Sequence, residues 1–221
     1  MINLPDSTLF NKRIPKQKFY NHLKVSPALE RQFVKEIENI VWLHKLSPET
    51  LNIEKGESVS EIEVIEIRLK TGTIGKNLVV LIDREIPYHL MFLMTYQNKG
   101  QLWISYKEAS KSRNNKFRVE HYFQTEWVDV CELSLSLTGL TLDAVYENFL
   151  KQIAGDQLKL SETTELKTAV ELTKEINYLE TQIEQIENKI KKEIQYNRQV
   201  KLHSKLRQLK EKLNAYHTDE R

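Results

Sequence analysis

Residues 60–68 read Ser60-Glu61-Ile62-Glu63-Val64-Ile65-Glu66-Ile67-Arg68. Ile62, Val64, Ile65 and Ile67 are interleaved with Glu61, Glu63, Glu66 and Arg68, the two-residue period of a strand with one wet face or of a sheet edge. Past the turn signal Thr71-Gly72-Thr73-Ile74-Gly75, residues 78–82 form a continuous apolar run, which predicts a strand covered on both faces. Apolar segments at 89–96 and 101–106 flank Gln97-Asn98-Lys99-Gly100, a hairpin loop by its Asn and Gly. Segments 117–123 and 132–137 extend the sheet.

Helices are expected on either side of these strands. Ser26-Pro27 has the form of an N-cap with proline at the first helical position. Leu29, Phe33, Ile37, Ile40, Val41 and Leu43 then recur at helical spacing through residue 46, where Ser47-Pro48 ends the pattern. Residues 142–153 read as an amphipathic helix stopped by Ala154-Gly155. The fold class expected is α+β: an antiparallel-rich sheet with flanking helices over residues 1–155, a linker at 156–164, and a coiled-coil-type helical tail over 165–217.

The tail expectation rests on a stripe. Ile176, Leu179, Ile183, Ile186 and Ile190 step by three and four, and Leu202, Leu206, Leu209 and Leu213 resume the seam in another phase. With neither Gly nor Pro between them, one helix with a local change of supercoil is favoured over a hairpin. These nine residues are the candidate partner-binding set, through a different subunit or self-association, since a lone helix cannot bury its own stripe.

Composition narrows the class of function. The 221 residues are 40% hydrophobic and 29% charged with net charge +2, which befits a folded domain and leaves the distribution of charge to speak about partners. Between residues 4 and 25, Lys12, Arg13, Lys16, Lys18 and Lys24 oppose Asp6 alone, a local +4. Lys12, Arg13, Lys16 and Lys18, interspersed with Phe10, Phe19 and Tyr20, are candidate nucleic-acid contacts through phosphate pairing and base stacking. From Lys189 to Lys212, nine cations against Glu193 and Glu211 give +7. The lone Cys131, read as a small core residue in a strand, fits a reducing compartment. No stretch resembles a signal peptide or a membrane span, so the expected location is cytoplasmic with no membrane partner.

No catalytic constellation stands out. The six histidines have no metal or triad spacing, and Thr71 to Lys76 lacks the spacing of a phosphate loop, so no cofactor and no metal are expected. Asp83 and Lys107, read at the ends of two strands, invoke a degenerate restriction-type nuclease core, with Glu63 or Glu66 as the second metal carboxylate. Ser105 stands where that core wants an acid, and alternating glutamates are more often a solvated strand face. His89, entering an apolar strand beside Tyr88, reads as a core histidine rather than an acid/base group.

The stretches Leu4-Pro-Asp-Ser-Thr-Leu-Phe-Asn-Lys-Arg-Ile-Pro, Ile82-Asp-Arg-Glu-Ile-Pro-Tyr-His-Leu-Met-Phe-Leu, Trp103-Ile-Ser-Tyr-Lys-Glu-Ala, Leu140-Thr-Leu-Asp-Ala-Val-Tyr-Glu-Asn-Phe and Gln195-Tyr-Asn-Arg-Gln-Val-Lys-Leu resemble the bacterial family DUF4391. The resemblance brings no catalytic residues to transfer. It implies a setting beside DNA methyltransferases and helicases of restriction-like or antiphage defence. The resulting expectation is a non-catalytic accessory subunit that joins a protein partner, such as a methyltransferase or helicase subunit, with DNA as a second candidate partner. The metal-dependent nuclease is the alternative.

Overall fold

A computed structural model describes residues 2–19, 25–109, 117–158 and 165–218. Tyr20, His22, Lys24 and most of the expected linker, from residue 159 to 164, lie outside the described residues. The chain divides into two compact units, Met1–Asp156 and Gln157–Arg221. Gly155, with a positive φ of 48°, closes the last helix of the first unit.

The first unit is built on one mixed sheet of strands β1 (Leu9–Arg13), β2 (Ile37–Leu46), β3 (Ile62–Leu69), β4 (His89–Tyr96), β5 (Lys99–Ala109) and β6 (Phe117–Gln124), in that spatial order, with the two-residue β7 (Val128–Asp129) also on β5. Every pairing is antiparallel except that of β3 with β4. The helices are α1 (Pro27–Glu36), the short α2 (Pro48–Leu51), α3 (Lys76–Glu85) and α4 (Leu142–Ala154). Ser26 Oγ accepts from Leu29 N at 3.3 Å, the N-cap its sequence announces.

Three elements differ from expectation, each for a physical reason. Residues 78–82 are helical. Parallel neighbours cannot be joined by a tight turn, so the chain between β3 and β4 must run back along the sheet, and α3 makes that return. It buries Leu78, Val79, Ile82 and Asp83, one face of a helix that a continuous apolar run cannot distinguish from a strand. The helix of residues 28–46 stops at Glu36, and Ile37–Leu46 is β2, whose β-branched and aromatic residues pair in register with β3. Residues 132–137 are not a strand: Leu133 and Leu135 are buried from an irregular segment held by Gln152 on Ser136, and Cys131 is exposed in a turn rather than in the core.

Helices cover both faces of the sheet. Phe33 of α1 and Leu78, Val79 and Ile82 of α3 share one core with Ile37, Ile40, Ile65, Ile67, Leu90 and Phe92. His89 alternates with Leu90 and so faces the other way, where its ring meets that of Tyr146 on α4 at 4.6 Å. It is buried, as a core histidine should be.

The second unit is a helical hairpin, not one long helix. Helix α5 (Leu166–Ile190) and helix α6 (Tyr196–Thr218) pack together around Ile183, Ile186 and Leu209, with Leu179, Ile190, Leu202, Leu206 and Leu213 against them. Lys210 on Glu187 at 2.8 Å and Tyr216 on Glu175 at 2.6 Å fix the two as antiparallel. The reversal needs no glycine because none of residues 191–195 has a positive φ. Glu193 makes the turn, accepting from Gln195 N on its side chain at 3.0 Å and from Gln199 Nε2 on its carbonyl at 2.7 Å. The two halves of the seam therefore cover each other. Charges placed there by Ile183→Asp with Ile186→Asp should open the hairpin, since each isoleucine contributes on the order of 1.5 to 3 kcal/mol by burial. Circular dichroism should lose helical signal at 222 nm, while the unfolding transition of the sheet unit is retained.

Candidate functional sites

The side chains of the nuclease expectation do not form one site. Asp83 lies on α3 rather than at a strand end, and Lys107 lies near the end of β5. Their side chains form an ion pair at 2.5 Å with 2% of Lys107 and none of Asp83 exposed. Tyr122 OH donates to the other Asp83 oxygen at 2.7 Å, and Lys107 Nζ donates to the Tyr88 carbonyl at 2.6 Å. Burial lowers the Lys107 ammonium and Asp83 opposes that shift. Beneath this knot the His89 imidazole is brought down to about 4, by burial first and by Lys107 second, so it is neutral at physiological pH. Among the described residues no group of three His, Cys, Asp or Glu side chains could hold a metal ion.

Glu63 and Glu66 sit three residues apart on β3 and therefore project from opposite faces. Neither is the solvated strand glutamate the alternation suggests. Glu66, 8% exposed, takes Arg68 Nε at 3.0 Å and Thr95 Oγ1 at 3.3 Å. Glu63 is wholly buried, with Oε2 accepting from Trp42 Nε1 at 2.5 Å and Oε1 receiving no hydrogen bond from a protein donor. Burial pushes its carboxyl up to about 8, the Trp42 contact lowers it, and the neighbouring Glu61 carboxyl raises it again. Glu61 is itself paired with Lys45 at 3.0 Å.

Glu63 forms part of a cavity of about 320 Å³ whose other walls are Ile14, Phe19, Trp42, Ile65, Ile86, Pro87 and Tyr88, with Lys18 and Glu85 beside them. An apolar cleft with a few convergent polar groups has the general character of a ligand site. Nothing in the sequence pairs Trp42 with Glu63, because residues 37–46 read there as helix. The β2–β3 register sets Trp42 opposite Ile65, one diagonal step from Glu63.

Of the basic segment near the N-terminus, Lys12 and Arg13 lie on the edge strand β1 and Lys16 and Lys18 follow it, while Lys24 lies outside the described residues. Lys12 lies over the Phe10 ring at 4.2 Å, Phe10 packs at a tilt against Trp42 with ring centroids 4.3 Å apart, and Phe19 is buried in the core. Lys16 donates to the Ile37 carbonyl at 2.9 Å, and burial lowers its ammonium. Arg13 and Lys18 are exposed. Phe10 and Phe19, two of the candidates for base stacking, are thus engaged with the protein, and the third, Tyr20, lies outside the described residues.

A second cation cluster surrounds the turn of the hairpin. Lys189, Lys192, Glu193, Arg198, Lys201 and Leu202 line an open groove of about 460 Å³. Glu193 reaches Arg198 at 4.0 Å, while Lys189, Lys192 and Lys201 have no ion-pair partner among the described residues. Beside them Ile194 is 94% exposed, Tyr196 77% and Val200 50%. The phase slip in the seam is visible in sequence, but only the reversal gathers these residues at one end.

The raised carboxyl of Glu63 makes a pH experiment decisive. The native state holds a proton there that the unfolded chain has lost, so this group withdraws stability as pH rises from about 4.5 to about 8. Glu63→Gln keeps the acceptor for Trp42 and removes the titration. In urea unfolding the variant should gain on the wild type as pH rises through that window, with a slope approaching about 1.4 kcal/mol per unit. Parallel pH profiles would show that the carboxyl ionises normally.

A search among curated proteins and solved structures finds no match. The family model described as a domain of unknown function, DUF4391, matches residues 2–213, which span both the sheet unit and the hairpin up to the last turns of α6. The chain belongs to the DUF4391 family.

Proposed function

We propose that this protein is a non-catalytic accessory subunit of a DNA-processing complex and that it meets nucleic acid through the tip of its helical hairpin. The observation that carries this reading is the cluster of Lys189, Lys192, Arg198 and Lys201 around one groove, with the exposed ring of Tyr196 nearby. Cations held on a short hairpin turn suit phosphates, and an exposed aromatic ring suits an unstacked base. The seam residues Ile176 to Leu213 serve the hairpin itself, so partner binding through that stripe would require the hairpin to open. Support for a non-catalytic role comes from Asp83 and Lys107, which spend their charges on each other in the core.

The setting beside a methyltransferase or helicase remains the one that the family resemblance implies, and a protein partner would take a surface other than the seam. Fluorescence anisotropy with a labelled oligonucleotide, single-stranded and duplex, tests the nucleic-acid reading. Lys189, Lys192, Arg198 and Lys201 all changed to Ala should flatten the slope of log affinity against log salt by roughly 0.7 to 0.9 per cation removed that meets a phosphate. The set Lys12, Arg13, Lys16 and Lys18 changed to Ala should leave the slope nearly as it was. A hairpin variant with the wild-type slope would overturn the assignment.

A further inference from the structure

A carboxyl group placed in an apolar wall without a counter-charge is costly, because desolvation penalises its ionised form. Glu63 comes near this case, because the cation closest to it in effect, Lys45, is engaged by Glu61. Glu63 Oε1 is buried and takes no hydrogen bond from a donor, and the residue forms part of a cavity rather than close-packed core. The charged and titratable groups around it come from four elements or their edges. Lys45 on β2 is committed to Glu61 at 3.0 Å. Glu61 precedes β3, Glu85 and Tyr88 lie at and beyond the end of α3, and Lys18 follows β1. Lys45 lowers the Glu63 carboxyl, but by less than Glu61 raises it. Carboxyls outnumber unengaged cations at this site, and the Trp42 indole adds an aromatic wall of the kind cations favour.

From this geometry we infer that the cavity over Glu63 is a binding site for a small organic cation, an ammonium or guanidinium carried on an apolar body of about the size of an aromatic side chain. The body would fill the space between Ile14, Phe19, Ile65 and Ile86, and a rotation of the Glu63 carboxylate, whose Oε1 is closed off from water in the free protein, would bring it to the cationic head. On binding, the Glu63 carboxyl gives its proton to solvent and the ammonium of the ligand keeps its own, so one proton is released for each cation bound. The volume of about 320 Å³ sits at the low end of small-molecule sites, which suits a fragment rather than a nucleotide. The site is independent of the hairpin, and its failure would leave the nucleic-acid reading where it stands.

The test is titration calorimetry of the full chain with phenethylammonium chloride, and with 2-phenylethanol as a neutral ligand of the same body, in two buffers of different ionisation heat. The wild type should bind the ammonium at least tenfold more tightly than the alcohol and release close to one proton at pH 6.5. Affinity should rise about tenfold per pH unit up to about pH 8. Glu63→Gln should bring the ammonium down to the level of the alcohol, and Ile86→Trp, which fills the cavity and leaves the carboxyl, should abolish both. Proton release in the wild type is read without any variant, so a misfolded substitution cannot hide the answer. Equal binding of ammonium and alcohol, binding without proton release, or no binding of the ammonium would each overturn the inference.

Discussion

The ion pair between Asp83 and Lys107 joins the crossover helix α3 to strand β5 through the interior of the sheet unit. Parallel pairing of β3 with β4 forces the chain to leave the sheet and return, and α3 is the return. Its C-terminal turn leads straight into Glu85, Ile86, Pro87 and Tyr88, the wall of the Glu63 cavity, and Lys107 also holds the Tyr88 carbonyl. Two charges buried this deeply are stable only as a pair with their remaining valences met, and loss of one partner of such a pair typically costs about 3 to 5 kcal/mol. Tyr122 and Tyr88 supply those further bonds. The same arrangement that positions the wall shields Asp83 and Lys107 from solvent.

Two acidic side chains on the same side of the sheet thus have opposite electrostatic fates. Asp83 is matched by a lysine and a tyrosine hydroxyl. Glu63 has one indole N–H and a neighbouring carboxyl that works against it. Burial is similar, so the difference lies in the partner, and an unmatched carboxyl beside a cavity has a capacity for binding that a matched one has lost.

Much of the fold is legible in sequence where one local signal dominates: the alternation at residues 60–68, the Asn and Gly of the β4–β5 hairpin, the cap at Ser26, the stop at Gly155. The misreadings share a cause. Leu78 to Ile82 and Ile37 to Leu46 are apolar runs whose state is decided by the neighbours they pair with, a long-range matter that periodicity does not encode. Of the candidate site, Glu63, Asp83 and Lys107 are visible as residues worth weighing, but their grouping is not. Opposite projection of Glu63 and Glu66 follows from strand geometry alone, whereas the Trp42 contact requires β2 to be a strand in register with β3. The hairpin turn escapes notice because Glu193 does with a side chain what glycine does with a backbone.

With its seam closed on itself, the hairpin leaves its tip, where cations and an exposed tyrosine gather, as the surface we propose for nucleic acid. Binding without chemistry is the central claim, and cleavage is its most direct test. Supercoiled plasmid incubated with the purified protein and magnesium or manganese should stay intact at protein concentrations that shift an oligonucleotide. Metal-dependent nicking by the wild type, absent from a folded Glu63→Gln variant purified alongside it, would contradict that claim.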